Sequence, residues 1–115
     1  MVYLASERDN SAKGVNYDAI LMVDPNSDGT RLTAQKEWDL TASLPQVSAN
    51  MGIEAVEWVA NSDVAGKLID HNTGKAFDAA NYPNAVANGV FFVALEDNGH
   101  VYAYVLNNDE SVVQI

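Results

Sequence analysis

The chain has 115 residues, enough for one domain with its own core, and 48% of them are apolar, which excludes a disordered polymer. A net charge of -10, with only six Lys and Arg, excludes a surface built for nucleic acid or for anionic membrane, since both need cations against phosphate. The absence of cysteine excludes disulfides, thiolate catalysis and Cys-type zinc sites.

From the N-terminus, VYLAS at 2–6 reads as a short strand and the polar stretch 7–16, with Gly14, as a loop. The apolar run AILMV at 19–23 has the length of a buried strand. DPNSDGT at 24–30 is dense in turn formers. RLTAQKEWDL at 31–40 partly alternates, which predicts a more exposed strand with Leu32, Ala34 and Trp38 as its inner face. Residues 41–52 form a connector broken by Pro45 and Gly52, with room for a helical turn at 42–44.

The stretch NMGIEAVEWV at 50–59 carries the sharpest conflict in the chain. A strand of apolar, β-branched and aromatic residues normally excludes charge, yet Glu54 and Glu57 sit inside it. Strand side chains alternate, so the two acids are expected on opposite faces, with at least one directed into packed protein. Residues 60–89 follow as a long polar excursion with Pro83, a short strand at 67–70 and a hairpin tip, DHNTGK, at 70–75. VFFVAL at 90–95 and VYAYVL at 101–106 then flank the hairpin turn EDNG at 96–99, whose Asn-Gly tolerates positive φ. A turn at 107–109 and a last short strand, SVVQI, at 111–115 close the chain. No segment holds a helical period, so the expected fold class is all-β, antiparallel and built as meanders.

MVYLASERDN has neither the basic start nor the long apolar core of a signal peptide, and no apolar stretch is long enough to span a membrane. Met1 abuts a strand with no polar lead-in, which points to a piece of something larger.

Two stretches resemble each other: VYLASERDN at 2–10 and VFFVALEDN at 90–98 are both apolar strands closed by Glu, Asp and Asn. Each is followed by an apolar strand, a polar turn and a third strand. The strand at 53 precedes the second unit and has no counterpart before the first. That pattern fits a β-propeller cut in mid-blade, with 1–40 as the outer three strands of one blade and 53–115 as the next blade, interrupted by an insertion at 60–89. A propeller needs about four to eight blades to close, so this stretch, at fewer than two, would need the remaining blades of a larger propeller or other copies of itself.

The residues that carry a family likeness are ERDNSA at 7–12, EWDLTASLP at 37–45, NMGIEAVEWV at 50–59 and FFVALEDNGHVYAYVLN at 91–107. They resemble segments of the phytase-like β-propellers, bacterial proteins described as having esterase-like activity of phytase. The most specific part is GIEAVEW, similar to a Gly-(Leu/Ile)-Glu-(Gly/Ala) motif of that family. The resemblance implies a propeller of about six blades, exported to the periplasm, the cell surface or the medium, with an acidic face that binds calcium. It further implies a phosphoesterase-type hydrolase in which calcium bridges carboxylates and substrate phosphates, a chemistry that suits hard oxygen ligands. Glu54 matches the motif acid, while Glu7 and Glu96 match only as acids at strand ends. The chain departs from a phosphate-gripping protein in having no cluster of Lys and Arg: Arg8, Lys13, Arg31, Lys36, Lys67 and Lys75 are scattered. The alternative is a non-catalytic propeller module that binds a ligand or protein on the same face, and a third reading is a small all-β domain with only local likeness.

The candidate site residues each have a plainer reading. Glu54 is a metal ligand or channel acid, or else a carboxylate held by backbone amides. Glu57 reads as structural. Glu7 with Asp9, and Glu96 with Asp97, are equivalent acids on neighbouring blades, or solvated hairpin ends. Asp24, Asn26 and Asp28 open a calcium loop of the DxNxDG type, but Gln35 stands where the loop wants its twelfth-position acid, so a hairpin turn is the competing reading. His71 and His100 lack a GxSxG nucleophile to serve, and Trp38, Trp58, Tyr102 and Tyr104 read as packing residues.

Overall fold

The computed structural model describes residues 1–8, 16–26, 29, 31–46 and 51–115. It is mostly β, and every strand pairing among the described residues is antiparallel. Strands β1 (Val2–Arg8), β2 (Asn16–Val23) and β3 (Lys36–Asp39) form one sheet in the order β1-β2-β3. The second sheet has the order β4-β7-β8-β9, from β4 (Ile53–Ala60), β7 (Gly89–Leu95), β8 (Val101–Leu106) and β9 (Val112–Gln114). Between β4 and β7 the chain makes one helical turn at Asn61–Val64, a small hairpin of β5 (Ile69–Asp70) and β6 (Lys75–Ala76), and a 3₁₀ turn at Ala79–Asn81. No helix among the described residues is long and apolar enough to cross a membrane.

The two sheets pack face to face. Alternation on β2 turns Ile20 and Met22 inward, and Tyr3 and Ala5 join them from β1. They meet Phe91, Val93 and Leu95 of β7 and Tyr104 and Leu106 of β8. Trp38, fully buried, fills the centre with Leu40 and Leu44. The Tyr3 ring lies 4.7 Å from that of Phe91, which ties β1 directly to the second sheet. The outer strands are stitched as well: Trp38 Nε1 donates to Asn107 O at 2.7 Å and Lys36 Nζ to Asn108 O at 2.8 Å.

The other face of the second sheet is covered by the chain's own excursion. Val64, Leu68, Phe77 and Tyr82 pack on Val90, Ala103, Val105 and Val113. Its polar pin is Asp70, fully buried, which accepts from Asn72 N, Asn72 Nδ2 and the Tyr82 hydroxyl. Asn72 Nδ2 also donates to Gln114 O at 2.8 Å, which fastens the hairpin to β9.

Two expectations need correction. The strand expected over 31–40 is only Lys36–Asp39, and Leu32 and Ala34 are exposed. The register explains this: Lys36 lies opposite Met22 and β2 ends one residue later at Val23, so the pairing runs out at Gln35, whose N–H donates to Met22 O at 2.8 Å. Glu54 and Glu57 are both exposed, so neither is directed into packed protein. A register irregularity between Ile53 and Ala55 lets Ile53 and Val56 share the inner face although three residues apart, and it leaves Glu54 at the irregularity. Glu57 lies opposite Phe92, on the face that the excursion covers only nearer Val59.

Candidate functional site

One end of the paired sheets collects the connections that bear acids. The residue that organises it is Asp18, in β2 beside the fully buried Ala19 and Ile20. Period-two alternation with Ile20 and Met22 turns its carboxylate inward, where it is 2% exposed. Its Oδ1 accepts the Ile53 N–H at 3.1 Å, so a side chain of the first sheet holds the first residue of β4. Its backbone is fixed from the other side: Asp18 N donates to Thr41 Oγ1 at 2.9 Å, and Leu40 N donates to Asp18 O at 2.7 Å.

Gly52 makes this junction possible. A Cβ on Gly52 would lie 2.1 Å from Asp18 Oδ1 and 3.2 Å from Glu7 Cβ, so only hydrogen fits there. The turn after β7 docks on the same segment, with Glu96 N donating to Gly52 O and Asp97 N to Met51 O, both at 3.0 Å. Glu7, Asp18, Glu54, Glu96 and Asp97 therefore belong to segments that converge on the backbone at 51–53.

The electrostatics follow from burial. Loss of water raises the Asp18 pKa above the ordinary carboxylate value; the Ile53 N–H opposes that, and the negative charges of Glu7 and Asp39 add to it. Asp70 behaves in the opposite way. Burial again pushes its pKa up, but the hydrogen bonds from Tyr82 and Asn72, helped by His71, outweigh it and the net shift is down. Among the described residues Asp18 is thus a buried carboxylate held by one backbone donor, and Asp70 a buried carboxylate that is well supplied.

The sequence-predicted candidates fall into three places. Glu7 and Glu96 lie in the segments at the Asp18 end, Glu7 partly buried and Glu96 exposed, and Glu54 follows Ile53 with its side chain exposed. Asp24 and Asn26 lie beyond the opposite end of β2, where Asp24 Oδ1 accepts from Asn26 N at 2.9 Å in a local turn, so they do not join the other acids. Asp9 and Asp28 lie outside the described residues. His71 and His100 are both exposed. Comparison with protein-family models, with curated proteins and with solved structures found no match. The site is therefore read from its own geometry.

Among the described residues no group of three or more His, Asp or Glu side chains is placed to hold a metal ion. Calcium takes about six to eight oxygens, whereas Asp18 has committed one oxygen to Ile53 N–H and Glu54 is turned to solvent. The described side chains do not make a calcium site by themselves, and no hydrolytic step follows from them. What they do make is a charged end built on a rigid inter-sheet junction.

Sequence reading missed Asp18 by starting the strand at Ala19. The signal was present: extending the alternation of Ile20 and Met22 back by one step puts an acid on the inner face. Asp70 was placed correctly at the head of a hairpin tip, but its burial depends on Tyr82 and Gln114, which are distant in sequence and leave no local trace.

Proposed function

We propose that this chain is a pair of neighbouring blades of a phytase-like β-propeller, and that its acidic end is part of a calcium-dependent phosphoester-binding face completed by carboxylates from elsewhere in the ring. The observation that carries this reading is the stacking of two consecutive antiparallel meanders through one core, in which the outer strand β3 leads into the first strand β4 of the next sheet. The convergence of Glu7, Asp18, Glu96 and Asp97 on the turn before β4 supports it, since these acids supply negative charge for cations. The free half of the second sheet's far face, around Ala55, Ala94 and Val101, is where a following blade would rest; the excursion covers the other half.

The test is phosphate release from a phosphate monoester by the longest protein that contains this chain, with calcium and with chelator. Calcium-dependent release that falls in Glu7→Gln and Glu54→Gln supports the proposal. No release from any ester refutes the hydrolytic part.

A second reading is a non-catalytic binding module on the same fold. The observation that favours it is that, among the described residues, Asp18 is held by the Ile53 amide and not by a base, while Lys36 is engaged with Asn108. A ligand bound at that end without turnover is its expected signature.

A further inference from the structure

The sequence holds two Asn-Gly pairs, at 88–89 and 98–99. A glycine after asparagine leaves its amide nitrogen unshielded by a Cβ, so that nitrogen can reach the side-chain carbonyl carbon one residue back. The fold treats the two pairs in opposite ways. Gly89 is buried and paired with Ala60 at the start of β7, and a Cβ there would lie 2.0 Å from Trp58 Nε1 and 2.6 Å from Val59 O. The chain before it is held too, because Asn88 O accepts from Asn61 N at 3.0 Å. Gly99 stands instead in the exposed turn between β7 and β8, at φ +69°, and beyond its chain neighbours nothing lies within 4 Å of the place a Cβ would take.

The Asn98 side chain is held on both of its polar atoms. Its Oδ1 accepts the His100 N–H at 2.9 Å, and its Nδ2 donates to the Tyr102 hydroxyl at 2.9 Å. Both contacts favour one reaction. Attack on Cγ puts negative charge on Oδ1, where the His100 N–H already points, as a backbone donor does in an oxyanion hole. The same attack turns Nδ2 from a planar donor into an amine with a lone pair, to which the Tyr102 O–H can then donate. The opposing restraint is the hydrogen bond from Gly99 N–H to Leu95 O at 3.0 Å, at a turn tip where local opening costs little.

We propose that Asn98–Gly99 is a self-modification site, which converts an amide into a carboxylate at the acidic end. Gly99 N gives up its proton to solvent and bonds to Asn98 Cγ. The Cγ–Nδ2 bond breaks, and Nδ2 leaves as ammonia with a proton from the Tyr102 hydroxyl, which solvent then restores. Water opens the cyclic imide at either carbonyl and leaves aspartate or isoaspartate at position 98. The product adds a negative charge beside Glu96 and Asp97, and isoaspartate also lengthens the main chain by one carbon. Both changes fall in the turn whose Glu96 and Asp97 amides dock on Gly52 O and Met51 O. The inference rests on the turn and does not depend on the propeller reading.

The experiment incubates the longest protein containing this chain in mildly alkaline buffer and digests it. Each asparagine peptide is then resolved by mass and by enzymatic methylation of isoaspartate. In the folded protein Asn98 converts at least about tenfold faster than Asn88, whose reaction waits for the β4–β7 pairing to open. In urea the two rates draw together. Tyr102→Phe, which keeps the ring, slows Asn98 several-fold in the folded protein and leaves its rate in urea unchanged. Conversion of Asn88 as fast as Asn98 in the folded protein overturns the proposal. So does an Asn98 that stays an amide while a free peptide of residues 95–101 converts fully, and so does a folded Tyr102→Phe protein that converts at the wild-type rate.

Discussion

Replacing Asp18 separates the two things its carboxylate does. Asp18→Ala removes the acceptor for the Ile53 N–H in a place where Ile53 is itself buried, and an orphaned buried amide costs about 1–3 kcal/mol. Asp18→Asn keeps an acceptor oxygen and removes the charge. Because burial, Glu7 and Asp39 raise the Asp18 pKa, the native state holds a proton in a pH range where the unfolded chain has already lost it. Stability from this group is therefore fully present below the unfolded pKa, near 3.9, and is lost as pH rises through the higher folded value. The Asn variant has no such loss. Urea unfolding of wild type, Asp18→Asn and Asp18→Ala between pH 4 and pH 7 should show the Asn variant gaining on wild type as pH rises. It should equal or exceed wild type at neutral pH, while the Ala variant stays below the Asn variant at every pH. A neutral-pH stability for Asp18→Asn well below wild type would refute the reasoning, because it would mean that the charged form is held by a cationic partner.

Three further outcomes follow from the same geometry. Gly52→Ala forces a Cβ onto Asp18 Oδ1 and should cost about 2–4 kcal/mol in denaturant unfolding, with a smaller cost in an Asp18→Ala background, where the carboxylate oxygen is gone. Asp70 has the opposite pH sign to Asp18: its lowered pKa gives stability that is present above the unfolded pKa and lost as pH falls through the folded value. Tyr82→Phe removes one of its donors and should destabilise by about 1–3 kcal/mol at neutral pH, with the loss shrinking in acid, as unfolding curves at pH 3 and pH 7 will show. Phe91→Ala opens the centre of the inter-sheet core beside Tyr3 and should cost about 3–5 kcal/mol, read as a fall in the urea midpoint with little change in slope.

Much of the fold was legible because apolar runs of strand length are bounded by turn formers. VFFVAL, EDNG and VYAYVL map onto β7, its turn and β8, and DHNTGK forms the tip between β5 and β6. The helical turn expected near 42–44 is a 3₁₀ turn at Thr41–Ser43. The stretch before Lys36 failed because strand length is decided by the partner, and β2 ended first. Glu54 and Glu57 misled for a related reason. The rule that acids are excluded from apolar strands holds for strands covered on both faces, whereas β4 is at a sheet edge, irregular at its start and open to solvent at Glu57. The acid buried between the sheets, Asp18, was hidden by its neighbours in a turn-like context, and its partners Gly52 and Ile53 lie more than thirty residues away.

The central claim is that the end around Asp18 is the cation-binding face of a phytase-like propeller. The measurement that tests it most directly is calorimetric titration of calcium into the longest protein containing this chain, beside Glu7→Gln and Glu54→Gln. The account predicts saturable binding in the parent protein that weakens in each variant while their unfolding curves remain close to wild type. Absence of binding, or binding that both variants leave unchanged, would contradict it.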